Sequence, residues 1–95
     1  GTKTEIVLVD KLLTNALIEA RSCERFRLLS EGLKDSYLKK FYYNFMVSEA
    51  GHYKLFMDLA KLYNTEEYVR ERWNEFLNFE KNILQNIDLR GDRMH

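Results

Sequence analysis

The chain contains no proline and only four glycines, Gly1, Gly32, Gly51 and Gly91, among its 95 residues. So few chain breakers exclude a turn-rich β fold and favour long uninterrupted helices. A single cysteine, Cys23, rules out an internal disulfide and fits a reducing compartment. Net charge is missing too, because 15 basic residues balance 15 acidic ones. A broad basic footprint for nucleic acid or a membrane surface is therefore absent from the total, and only a local patch stays open. No apolar run approaches the ~20 residues of a membrane span, and no signal-peptide pattern opens the chain, so a cytoplasmic location is expected. Also absent are a glycine-rich phosphate loop, cysteine pairs at zinc spacing and a Ser/His/Asp arrangement. Histidine is scarce, with only His52 and the terminal His95.

What remains is apolar residues at helical spacing, 45% hydrophobic with 14% aromatic, enough for one small packed domain over residues 1–95. The pattern predicts an all-α fold with helices at about 7–31, 36–63 and 65–87. The first starts between Thr4 and Asp10, either of which can cap it, and stops at Gly32. Leu12, Ala16, Glu19, Cys23 and Phe26 form one face, and Leu13, Leu17, Ala20 and Leu28 the next. Arg21, Arg25 and Arg27 cover the outside. The short connection from Gly32 to Asp35 implies an antiparallel neighbour, capped by Asp35 or Ser36. Its inward row reads Leu38, Tyr42, Phe45, Glu49, His52, Phe56, Leu59 and Tyr63. Asn64 or Thr65 caps the third helix, with Glu67 in capping-box position to Asn64. That helix carries Val69, Trp73, Phe76, Glu80, Ile83 and Ile87 on one face and fades near Asp88, before a polar, frayed tail.

Two of the inward rows carry ionisable groups. Glu49 and His52 are three residues apart and share a face. Glu19 lies about as far before the turn as Glu49 lies after it, each on the order of 22 Å away at ~1.5 Å rise per residue. The two carboxylates should face each other at one level, with His52 a turn further along. Glu24 sits roughly 7 Å nearer the turn and matches that level less well. Two oxygen donors and one nitrogen suit iron or manganese better than a thiolate zinc site. They are half of the set used by di-iron carboxylate four-helix bundles, one Glu from each of two helices and a Glu-x-x-His from each of the other two. The competing reading is a metal-free polar pair, hydrogen-bonded in the core or turned to a wet groove. Burying unpaired carboxylates costs several kcal/mol, so either a cation or cross-pairing is required. Gly51 in mid-helix is read either as room for a neighbouring helix or substrate, or as an ordinary close crossing. Cys23 is a neighbour of the site or an apolar filler, and Glu80 a hydrogen-bonded or solvated carboxylate rather than a ligand.

The string Leu17-Ile18-Glu19-Ala20-Arg21-Ser22-Cys23-Glu24-Arg25-Phe26, followed by Ser48-Glu49-Ala50-Gly51-His52-Tyr53, resembles the C-terminal half of the MiaE family. These are ferritin-like di-iron monooxygenases that hydroxylate the isopentenyl group of methylthio-isopentenyl-adenosine in tRNA. The resemblance implies that Glu19, Glu49 and His52 are iron ligands, with Glu24 as the lesser substitute for Glu19. It implies two irons per complete bundle, a modified tRNA as substrate, and a chain about half the family's length. The family's first Glu and first Glu-x-x-His have no counterpart here. The chain is thus expected to be a fragment, or to form a homodimer in which two ferritin-like half-bundles complete one four-helix bundle. An iron-oxidising protein without tRNA activity and a metal-free helical dimerisation module are the alternatives. Arg21, Arg25, Arg27, Lys39 and Lys40 are candidate tRNA contacts, against the plainer reading of a solvated charged face.

Overall fold

The computed structural model describes residues 2–94, with side chains over residues 2–87. Three helices, α1 (Lys3–Gly32), α2 (Ser36–Tyr63) and α3 (Glu66–Met94), account for the chain, with no strand among the described residues. The fold is all-α, as the periodicity predicts.

The helix boundaries follow local hydrogen-bonding chemistry. α1 begins earlier than expected because Thr2 and Glu5 form a capping box. The Thr2 hydroxyl accepts from the Glu5 amide at 3.2 Å, and the Glu5 carboxylate accepts from the Thr2 amide at 3.3 Å. Neither Thr4 nor Asp10 caps it. Gly32 closes α1 without a left-handed conformation; the Leu33 amide instead donates to the Leu29 carbonyl. Asp35 caps α2 by accepting from the Leu38 amide at 2.9 Å. Thr65, not Asn64, caps α3, accepting from the Tyr68 amide at 3.1 Å. Asn64 is engaged with the Thr65 amide, so Glu67 has no capping-box partner there. α3 continues past Asp88 to Met94 instead of fading, and the side chains of that tail lie outside the described residues.

α1 and α2 make the antiparallel hairpin, in one register along its length. The Ser30 hydroxyl donates to the Lys39 carbonyl at 2.9 Å, and the Cys23 thiol donates to the Met46 carbonyl at 3.5 Å. Nearer the turn, Phe26 packs on Tyr42 and Phe45 at centroid distances of 6.0 and 5.3 Å. α3 lies across one face of this hairpin at its far end. Val9, Leu13, Ala60 and Val69 are fully buried there, with Leu12, Met57, Tyr68, Trp73 and Phe76 against them. Two ion pairs tie α3 to α1. Arg72 donates to both Asp10 oxygens at 2.8 and 3.0 Å, and Arg21 donates through Nε to Glu80 at 2.7 Å and through Nη2 to its other oxygen. Arg21 therefore faces α3 and not the outside, and Glu80 is the hydrogen-bonded carboxylate expected.

The opposite face of the hairpin is uncovered. Leu38, Phe41, Phe45, Leu55 and Leu62 are all exposed on α2. No helix among the described residues is long and apolar enough to cross a membrane.

Candidate metal centre

The hairpin register that joins Ser30 to Lys39 and Cys23 to Met46 continues to Glu19 and Glu49, one turn further from the loop. The 3.6-residue repeat of α2 then sets His52 beside them. One donor atom from each of Glu19, Glu49 and His52 lies within 4.8 Å of the others. His52 Nδ1 is 3.6 Å from Glu19 Oε2 and 3.9 Å from Glu49 Oε1, too far for hydrogen bonds. The three predicted residues thus converge at one level of the hairpin. Glu24 does not join them. It is exposed and accepts from Arg21 Nη1 at 2.9 Å.

The electrostatics are unbalanced. Glu19 Oε2 is buried and has no hydrogen-bond partner. An orphaned carboxylate oxygen costs on the order of 1–3 kcal/mol or more. Glu49 is held above the ordinary carboxyl range, first because its protonated form can donate to the Glu19 carboxylate. Burial and the negative charge of Glu19 push the same way, and His52 opposes them weakly. Both carboxylates are mostly buried, whereas the His52 side chain is 56% exposed. Two carboxylates that repel, an unsatisfied buried oxygen and an adjacent imidazole nitrogen form an O, O, N set that fits a divalent cation. Its open side is the one His52 presents to the uncovered face.

The surroundings separate two environments. Leu12, two turns before Glu19, packs against the buried core, Phe56 is partly buried one turn beyond His52, and Phe45, one turn before Glu49, is half-exposed. Cys23, one turn from Glu19, spends its thiol on the Met46 carbonyl and reinforces the hairpin there. Gly51 is exposed, and a Cβ added to it would meet nothing within 4 Å. A close crossing inside this chain therefore does not account for it. Of the candidate RNA-contacting cations, Arg21 is committed to Glu80 and Glu24, Arg27 pairs with Glu31, and Arg25 donates to the Ser22 hydroxyl. Glu80 lay on the predicted face of α3, but its pairing with Arg21 could not be found by pattern, because it depends on which side of the hairpin α3 takes.

The family model described as tRNA-(MS[2]IO[6]A)-hydroxylase (MiaE) matches residues 2–95. A tRNA 2-(methylsulfanyl)-N(6)-isopentenyladenosine(37) hydroxylase of Salmonella typhimurium is 38% identical over 94 residues, covering 99% of this chain and 34% of the relative. A protein of the same description from Pseudomonas putida is 48% identical over 61 residues, covering 64% of this chain and 29% of the relative. The matched stretches thus span about a third of the length of these curated relatives. No solved structure matches it. A match along nearly the whole chain, carried by helices that bring Glu19, Glu49 and His52 together, makes this chain a member of the MiaE family.

Proposed function

We propose that Glu19, Glu49 and His52 hold iron, and that this chain provides half of a di-iron centre for dioxygen-dependent hydroxylation of the isopentenyl group of a modified tRNA adenosine. The observation that carries the reading is the buried, unpartnered Glu19 oxygen facing a second carboxylate and an imidazole nitrogen. Three donors suffice for one metal. A pair needs a second set, which a second copy of the chain would supply by symmetry, giving a homodimer with two irons per complete bundle.

When bound, iron would supply the redox chemistry that activates dioxygen against an allylic C–H bond. The overall conversion inserts one oxygen atom into that bond and reduces the other to water. It consumes two electrons and two protons, so an external reductant is required. The chain's own contribution is electrostatic and steric. Glu19 and Glu49 would place two negative charges where the cation sits, and their fixed positions on two helices spare reorganisation. His52 would present Nδ1 from the exposed side. The apolar neighbours Phe45, Phe56 and Leu12 would help to exclude water from the site. Family membership and the names of the two relatives support the tRNA substrate.

Anaerobic ferrous titration followed by exposure to oxygen tests the metal reading. One iron per chain and the absorbance of an oxo-bridged pair are expected, both lost in H52A. Binding of no iron would leave only a metal-free helical module. Incubation with isopentenylated tRNA, a reductant and oxygen then tests the substrate. Iron oxidation without a hydroxylated nucleoside would reduce the reading to an iron-oxidising protein.

A further inference from the structure

The uncovered face of α2 carries a second pattern, distinct from the ligands it surrounds. Between Tyr37 and Tyr63, the arc of the helix that contains Leu38, Phe41, Phe45, Leu55, Leu59 and Leu62 has no Lys, Arg, Asp or Glu. Those residues are disposed evenly about position 50. Leu38 and Leu62 lie twelve residues to either side, Phe41 and Leu59 nine, and Phe45 and Leu55 five. Ser48 and His52 flank the midpoint, and Glu49 stands beside it. Lys54, Asp58 and Lys61 fall off the arc and bound it on one side.

We infer that this face is where a second copy of the chain docks, α2 against α2 in antiparallel register about a two-fold axis near position 50. The inference rests on the two-copy reading proposed above and fixes its geometry. In that register Leu38 meets Leu62 of the partner subunit, Phe41 meets Leu59 of the partner subunit and Phe45 meets Leu55 of the partner subunit. The small Ser48 lets the two backbones approach near the centre, with the open Gly51 at the edge of the arc, and the axis brings the two donor triads to one level. An isologous contact requires such a self-complementary patch.

The amount of surface agrees. The chain exposes 7373 Å². A folded monomer of its 11.4 kDa is expected to expose about 5,800 Å². The excess, roughly 1,600 Å², is spread over all three helices and exceeds the ~800 Å² that one partner buries in a standard interface, so the α2 face can supply that area. Only five hydrophobic residues, Val9, Leu13, Ala16, Ala60 and Val69, are fully buried in the described chain, so the apolar stripe has no cover of its own. With no net charge, two copies carry no overall repulsion. α3 lies on the other side of the hairpin and leaves this approach clear.

Light scattering and sedimentation on the 95-residue chain in EDTA test the proposal. The wild type should run at twice 11.4 kDa. L55K/L62K changes two side chains that are 53% and 76% exposed in the single chain, so helix content by circular dichroism should not change. Its dimer should weaken by at least about a hundredfold, since charge at the centre of an apolar interface is poorly tolerated. V47K, at a site 52% exposed but off the arc, should leave the dimer intact. In a C23A background, F45C chains mixed with L55C chains should oxidise to a mixed disulfide dimer. A monomeric wild type, a dimer that survives L55K/L62K, or L55C linking only to itself would each overturn the inference. Iron counted on the same samples keeps the two readings apart. A dimer that binds no iron keeps the interface and removes the metal centre, and a monomer removes the interface whatever it binds.

Discussion

Glu19→Gln should make the metal-free protein more stable and its iron-loaded form less so. The Glu19 and Glu49 oxygens that face the site lie within 4.8 Å of each other. Two full charges at that distance repel by on the order of 3 kcal/mol at an effective dielectric of about 20. Partial solvent access reduces what is recovered to about 1–2 kcal/mol. Glutamine keeps the shape, offers an amide that can donate to Glu49, and removes one charge. Urea unfolding of both proteins in EDTA, at one fixed concentration, should show a higher midpoint and an unchanged slope for the variant. A gain of 1 kcal/mol corresponds to about 4–8 °C in the thermal midpoint of a domain this size. Repeating the experiment anaerobically with ferrous iron should reverse the order. Ligand at a hundredfold excess over its dissociation constant adds about 2.7 kcal/mol, and the variant should lose most of that. A destabilised metal-free variant, or one whose iron response equals the wild type's, would refute the electrostatic reasoning.

The raised carboxyl of Glu49 gives a pH test with a definite sign. Its folded-state value lies above the ordinary 4.5, so its contribution is fully present below 4.5 and is lost as pH rises through the raised value. The wild type in EDTA should therefore lose stability on going up through that window, and E49Q should not; iron affinity should rise across the same window, because the metal needs the ionised carboxylate. Leu13→Ala empties a fully buried position in a very small core and should cost about 3 kcal/mol, read from the urea midpoint. Thr65→Ala removes the α3 cap and should cost about 1 kcal/mol, with amide exchange accelerated first at Tyr68, whose amide the cap accepts. Asp10→Ala breaks the two-bond pair with Arg72 and should cost about 1 kcal/mol, a value limited by the pair's partial exposure.

The readable parts of the sequence were those set by local geometry. The loop after Gly32, the Asp35 cap and the 3.6-residue repeat together fix the hairpin, and the hairpin alone sets Glu19 opposite Glu49 and His52. The early start of α1 was also written locally, in the Thr-x-x-Glu spacing of Thr2 and Glu5, but hidden among polar residues. Arg21 was not legible. Placing it requires knowing that α3 crosses the face bearing Asp10 and Arg21, and both faces of the hairpin are apolar enough to attract a helix. Phe41 and Phe45 show another limit. Periodicity marks which residues favour burial, but not whether the covering element belongs to the same chain, and here both stay half-exposed.

That limit bears on why Glu19, Glu49 and His52 sit where they do. α3 could have closed the hairpin over His52, burying Phe41, Phe45 and Leu55 and completing a three-helix core. It is instead held on the other face by Arg72 with Asp10, by Arg21 with Glu80, and by Trp73 against Tyr53 at 5.7 Å. Moving it across would break both ion pairs and strand Val9, Leu13 and Val69 in water. The same packing that supplies the chain's small core therefore keeps the side on which His52 is exposed open. Gly51 agrees with this partition. It weakens α2 by ~1 kcal/mol relative to alanine, and no close packing among the described residues requires it. An open glycine between Glu49 and His52 in sequence, at the edge of the uncovered face, makes sense when something approaches that edge closely enough for a side chain to be in the way.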